Sequence, residues 1–275
     1  TLAGFQLARC IDGRTEILMP PPADLVIGHS ETNTLAVNRL IPTAVGFASS
    51  FPLPKLPVLA QAEREKPESG WWLTQSGWKT YLAGQTPTPQ QLVHSRDLWS
   101  FDARVGIGMN TATRSVEDGK LFSAQAVAMR NGVGFLAEVT GAEPPADGLL
   151  RLGGDGRAAA VRAANATLPQ ADFTAIAQAG RCRLILTSPG IFQEGWKPGK
   201  TDADNRISIG GIKARLVCAA VPRFETVSGW DLARKAPKSA RRAVPSGSVY
   251  WLEELEADAE VLRKLVANGL WEAIC

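Results

Sequence analysis

LFSAQAVAMR at 121–130, Asn131-Gly132 and VGFLAEVT at 133–140 form the stretch on which the fold class turns. Two strand-like runs flank an Asn-Gly pair, and Asn-Gly accepts the positive φ angles of a type I′ turn, so the pattern predicts a long β-hairpin. The same logic upstream reads 2–9 and 14–19 as two short strands around Asp12-Gly13, closed by Pro20-Pro21-Pro22, where neither strand nor helix continues. Downstream, strands are expected at 149–152, 183–187, 211–221 and 248–252, and a strand or helix at 157–164 after the Gly153-Gly154-Asp155-Gly156 turn. A short helix is expected after Thr74, with Trp78, Tyr81 and Leu82 forming a core stripe. Two more are expected at 172–179, stopped by Gly180, and at 257–267, ending at Asn268-Gly269. Residues 42–70 carry Pro42, Pro52, Pro54, Pro57 and Pro67 and read as a loop or insertion. Strands and short helices separated by long loops predict an α+β protein with antiparallel sheets, for which βαββαβ units fit better than a doubly wound parallel sheet.

Composition agrees. A chain of 275 residues, 45% hydrophobic and 21% charged, can bury a sizeable core, which excludes intrinsic disorder. Its 26 Gly and 18 Pro favour turns and β-structure over long helices and argue against a helical bundle. The length accommodates two domains. A net charge of +3 does not by itself announce a nucleic-acid partner, but the charge is unevenly placed. Residues 197–242 hold eleven basic and four acidic side chains, and Glu253, Glu254, Glu256, Asp258 and Glu260 follow, so a basic face and a separate acidic segment are expected. Cys10, Cys182, Cys218 and Cys275 are scattered, with no CxxC pair and no His at ligand spacing. Neither a zinc site nor a disulfide framework follows, no cofactor or metal is expected, and a reducing, cytoplasmic setting fits. No apolar run approaches the roughly 18 residues of a membrane span, so no membrane partner is expected. Thr1 is not an initiator Met and the pattern breaks off at 273–275, so both ends are expected to be trimmed.

Catalytic readings are few, because only His29 and His94 could serve as a histidine base, and both read as hydrogen-bonded or surface histidines. No GxSxG elbow, HExxH, P-loop or Rossmann fingerprint is present. Three sites instead have the chemistry of phosphodiester binding. In Gly153-Gly154-Asp155-Gly156-Arg157 the glycines let backbone N–H groups approach a partner beside the Arg157 cation, although a tight turn needing positive φ would use the same glycines. Arg104, within Arg104-Val105-Gly106-Ile107-Gly108, is followed by Arg114 and Lys120. Gly229-Trp230-Asp231 leads through Lys235, Pro237, Lys238, Arg241 and Arg242 to Pro245-Ser246-Gly247-Ser248-Val249-Tyr250. Here cations and an aromatic ring interleave, which suits single-stranded RNA, whose phosphates need charge and whose bases need flat surfaces. Core packing is the expectation for the Trp230 ring itself.

RVGIGMNTATRSVEDGKLFSAQAV at 104–127, LGGDGRAA at 152–159, LTSPGIFQEGWKP at 186–198, GWDLARKAPKSARRAVPSGSVYWLE at 229–253 and PPPADLV at 20–26 occur in an order and spacing that covers most of the chain. Together they resemble the RAMP (repeat-associated) proteins of CRISPR effector complexes, specifically the third subunit of the type III-B Cmr complex. The resemblance implies paired ferredoxin-like, RRM-like domains with antiparallel sheets and long loop insertions. The expected division is a first RAMP domain at 1–140, carrying the proline-rich insertion and the long hairpin, and a second at 141–275, each with part of the family's domain outside the chain.

The function implied is a non-catalytic RNA-binding scaffold. It would hold the 5′ repeat-derived handle of the guide RNA, dock on the large palm-domain subunit and contact adjacent backbone RAMP subunits. The RNA-binding residues expected are Arg104, Arg114, Lys120, Gly153, Gly154, Gly156, Arg157, Lys238, Arg241, Arg242, Gly247 and Ser248. Two alternatives compete. One is a RAMP-type guide-processing endoribonuclease, for which His29 or His94 would have to act as base. The other is a β-rich metabolic enzyme with Asp155 or Asp231 as acid–base residue.

Overall fold

The computed structural model describes residues 2–30, 33–47, 49–60, 67–152 and 158–270; the expected contacts Gly153, Gly154, Gly156 and Arg157 lie outside them. The chain divides into two compact units that interleave in sequence. One comprises Thr1–Met19, Gly70–Gln75 and Leu92–Leu168, the other Pro20–Ser69, Ser76–Gln91 and Pro169–Cys275.

In the first unit Asp12 and Gly13, at φ 50° and 76°, reverse the chain so that the strand Leu2–Ile11 pairs with Arg14–Leu18, as expected. The Asn131-Gly132 hairpin requires correction. Strands do flank the turn, at Val116–Met129 and Val133–Val139, but they do not pair with each other. Val116–Met129 pairs with Trp99–Met109, and Val133–Val139 with Leu2–Ile11. At the turn Val133 N–H donates to Arg130 O at 3.0 Å, Arg130 N–H donates to Leu98 O at 2.9 Å, and Gly132 O accepts from Cys10 N–H at 2.7 Å. The Asn-Gly pair therefore hands the chain from one sheet to another, each flanking run pairing along one edge with a distant strand instead of with the other run. Leu7, Leu18, Val93 and Leu98 form the core, with Trp72 and Trp99 packed against it edge to face at 5.8 Å. A further strand pair, Asp147–Arg151 with Ala158–Arg162, resolves 158–162 as strand.

The second unit is built on a four-stranded antiparallel sheet in the order Cys182–Ile185, Val249–Glu256, Ile212–Ala220, Arg206–Ile209. Ile207, Ile212, Leu216, Tyr250 and Leu252 of this sheet share a core with Phe173 of helix α2 (Phe173–Ala179) and Leu262 and Leu265 of α3 (Ala259–Asn268). Both helices start as their sequences demand: the Asp172 and Asp258 carboxylates accept the N–H of Ala175 at 2.9 Å and of Val261 at 2.8 Å. Gly180, at φ 59°, ends α2. A third helix, α1 (Gln75–Leu82), buries Trp78 and Tyr81, whose rings stack at 5.6 Å, so the aromatic stripe is core as expected. Among the described residues of the proline-rich stretch most are irregular, yet Ile41–Thr43 and Leu56–Val58 pair, with Pro42 opposite Pro57. The class is therefore α+β with antiparallel sheets, and among the described residues no helix is long and apolar enough to cross a membrane.

Candidate nucleic-acid interface

The basic block predicted from sequence forms a two-stranded finger. Glu225–Val227 pairs with Arg241–Ala243 at its root, and Trp230–Asp231 with Ala236–Pro237 towards its tip. The tip closes because the Asp231 carboxylate accepts the N–H of Ala233 and of Arg234, both at 3.0 Å, and Lys235 takes φ 50°. Midway, Lys238 N–H donates to Gly229 O at 2.7 Å and the Ser228 hydroxyl donates to Lys238 O at 2.9 Å, which fixes the lysine's backbone from both sides. Between 223 and 242 the chain presents Arg223, Arg234, Lys235, Lys238, Arg241 and Arg242 against only Glu225 and Asp231. Lys238, Arg241 and Arg242 are all exposed, and the Arg242 guanidinium lies 4.6 Å from the centre of the Phe224 ring. Trp230 corrects its expectation. It stands 58% exposed, because a two-stranded ribbon supplies no second layer to bury the ring.

Gly247 and Ser248 lie at the finger's exit into the strand Val249–Glu256, and both are buried. Gly247, at φ 87°, donates its N–H to Leu186 O at 2.7 Å and accepts from Ala23 N–H at 2.8 Å. A Cβ there would sit 2.7 Å from Pro21 O, so only glycine lets the PPPAD segment come this close. The Ser248 hydroxyl donates to Pro245 O at 2.8 Å. These two residues anchor the finger's root through backbone and buried hydroxyl contacts.

The remaining predicted residues among those described, Arg104, Arg114 and Lys120, belong to the first unit, on the ribbon formed by Trp99–Met109 and Val116–Met129 and its connection. Arg104 is bound by Asp102 at 2.6 Å, Lys120 pairs with Glu117, and Arg114 sits in the connection with φ 55°. Two of these three cations thus already have a local carboxylate.

One polar constellation was not anticipated. Asp24, fully buried, accepts from the Tyr81 hydroxyl at 2.7 Å and from Arg183 Nη1 at 3.0 Å. The Arg183 and Arg39 guanidinium groups lie 4.3 and 5.0 Å from the Tyr81 ring centre, and Arg39 donates to Gly84 O and Gln85 O at 2.7 and 2.5 Å. Burial first, and then the Asp24 charge, push the Tyr81 hydroxyl far above its ordinary range. Burial and then the neighbouring Arg183 lower the Arg39 pKa. The only sequence signal was an aspartate two residues after the Pro20-Pro21-Pro22 run, which by itself reads as a turn residue. His29 Nδ1 lies 2.8 Å from Glu68 Oε1, and His94 Nδ1 accepts from Arg96 N–H at 3.2 Å with Trp71 edge-on at 4.9 Å. Among the described residues, no group of three or more His, Cys, Asp or Glu side chains could hold a metal ion.

The family model described as CRISPR-associated protein (Cas_Cmr3) matches residues 1–273. Among solved structures, the chain is similar to one in "Cryo-EM structure of the Type III-B Cmr-beta bound to cognate target RNA", at 13% identity and a TM-score of 0.46, covering 91% of this chain and 64% of that one. It is likewise similar to one in the same complex "bound to cognate target RNA and AMPPnP, state 1", at 14% identity and 0.46, covering 91% and 66%. The chain thus spans just under two thirds of each. No curated protein matches it.

Proposed function

The chain belongs to the CRISPR-associated Cas_Cmr3 family, and from that premise we propose that it is a non-catalytic RNA-binding scaffold subunit of a type III-B effector complex in the cytoplasm. It holds the 5′ repeat-derived handle of the guide RNA and docks on the large palm-domain subunit and on adjacent backbone RAMP subunits. The four-stranded antiparallel sheet sharing its core with α2 and α3 supports a ferredoxin-like reading of the second unit.

The observation that carries the proposal is the finger at 223–243. Its cations stand on a backbone held by ladder and turn hydrogen bonds, so they meet phosphates at low ordering cost, and Trp230 offers an exposed ring to a base. Arg104, Arg114, Lys120 and the 153–157 loop supply further contacts in this reading. The processing-nuclease alternative is less well supported, since His94 spends its Nδ1 lone pair on the Arg96 N–H. Of the two metabolic-enzyme candidates, Asp231 spends its carboxylate on the finger tip, and Asp155 lies outside the described residues. The test is to purify the protein with its bound partners and sequence the RNA that accompanies them. A shared 5′ repeat-derived end is the expected result; RNA of random ends, or none, would overturn the proposal.

A further inference from the structure

At the root of the finger the second unit encloses a groove of about 750 Å³, within the range of sites that hold small planar ligands. It is lined by the apolar run Ala219, Ala220, Val221 and Pro222 and by the rings of Phe51, Trp196 and Phe224; its charged lining residues are Arg223 and Arg242, with no carboxylate among them. The Phe51 and Trp196 rings are nearly parallel, 16° apart with centres at 6.5 Å, and Lys197 Nζ lies 5.9 Å from the Trp196 ring centre. Tyr250 fixes the Trp196 backbone by donating its hydroxyl to Trp196 O at 2.6 Å. Phe224 stays 46% exposed with the Arg242 guanidinium against it.

Flat apolar walls with cations and no anion match one kind of occupant. A nucleobase presents two π faces, and the phosphate on the ribose of the same nucleotide carries the negative charge that Arg223 and Arg242 would meet. A purely aliphatic ligand would leave those guanidinium groups unused, and an anion alone would leave the aromatic walls unused. The groove is also continuous with the finger, because Arg223, Phe224, Arg242 and Ala243 line it and Glu225 opens the paired ribbon. We infer that this groove is a base-binding subsite: one unstacked nucleotide of the single-stranded RNA that runs along the finger inserts its base against Trp196 and Phe224, with its phosphate on Arg242 and Arg223. This inference rests on the RNA-binding function proposed above and adds the residues that take a base out of the strand.

The test uses the full chain and a single-stranded RNA carrying the repeat-derived 5′ handle, with a photoreactive uridine placed at each position in turn. Irradiation followed by peptide mapping is expected to give one position that crosslinks to peptides containing Trp196 or Phe224. Phe224→Ala should weaken binding of the same RNA by roughly 5- to 150-fold, the range for loss of one base–aromatic stack, and Phe224→Trp should restore it. Trp196→Ala should act in the same direction, with its thermal melt recorded because that ring also packs on the core. If Phe224→Ala and Trp196→Ala remain folded and bind like the parent while every crosslink maps elsewhere, the groove is not a base site and RNA binding by the finger still stands. If the parent fails to bind the RNA at low salt, the proposed function itself falls, and this subsite with it. If the groove peptides become protected only when the large subunit is added, without crosslinking to RNA, the occupant is a protein segment and the inference is wrong.

Discussion

Asp24→Ala removes a carboxylate that is fully buried and serves two donors at once, Tyr81 at 2.7 Å and Arg183 at 3.0 Å. Deleting one partner of a buried ion pair costs about 3–5 kcal/mol, since the remaining charge stays desolvated without compensation. The Arg183 side chain keeps 20% exposure and part of its charge reaches water, so the low end of that range applies, about 3 kcal/mol. The loss also leaves Arg183 and Arg39 on the same tyrosine ring with no anion between them. Tyr81→Phe removes a single hydrogen bond to a charged acceptor and should cost about 1.5–3 kcal/mol. Asp24→Ala combined with Arg183→Met removes both charges and should recover part of the first loss. Thermal unfolding reads the series at about 2–4 °C per kcal/mol for a unit of this size, so Asp24→Ala should melt at least about 6 °C below the parent. A melt for Asp24→Ala within about 0.5 kcal/mol of the parent, or no recovery in the double variant, would refute the reasoning.

Other outcomes follow from the same geometry. Lys238→Ala with Arg242→Ala should leave the melting temperature nearly unchanged, within about 0.5 kcal/mol, while weakening RNA retention, because both side chains are exposed. Gly247→Ala should destabilise by about 2 kcal/mol or more in urea unfolding, from the cost of a left-handed backbone plus a Cβ at 2.7 Å from Pro21 O. The chain has only two tyrosines, Tyr81 and Tyr250, and burial raises both hydroxyls above their ordinary pKa. Their neutral forms favour the folded state below about pH 10, and this contribution is lost as pH rises beyond it, since the unfolded chain ionises first. Phenolate absorbance should therefore appear together with alkaline unfolding, and a smooth rise in the folded protein would contradict the burial. Burial likewise pushes the Cys182 and Cys218 thiols up to about 11, so peptide mapping after brief alkylation should find the exposed Cys10 modified well before either.

Local chemistry was the most legible part of the sequence. Asp12-Gly13 and Gly180 act within a few residues, and their turn and helix stop form where the sequence places them, while Asp172 and Asp258, read as helical residues, stand one position ahead of their helices as N-caps. Pairing over distance was not legible. Asn131-Gly132 makes a turn, yet no local rule reveals that Trp99–Met109 and Leu2–Ile11 will claim the strands on either side. At the candidate interface the cationic block was visible by composition, but its folding into a ribbon, and hence the exposure of Trp230, depends on cross-strand pairs. The groove and the Asp24 cluster were invisible for a related reason, since Phe51, Trp196 and Phe224, or Asp24, Tyr81 and Arg183, meet only after the chain has folded.

The central claim, that the finger binds the guide strand through its phosphates, is tested most directly by measuring the affinity for handle RNA across a range of salt. On single strands each phosphate neutralised contributes about −0.7 to the slope of log K against log salt. Replacing Lys238, Arg241 and Arg242 together by Ala should therefore flatten the parent's slope by about 2 and weaken binding while leaving the fold intact. A triple variant with the parent's slope and affinity would place the RNA elsewhere and contradict the account.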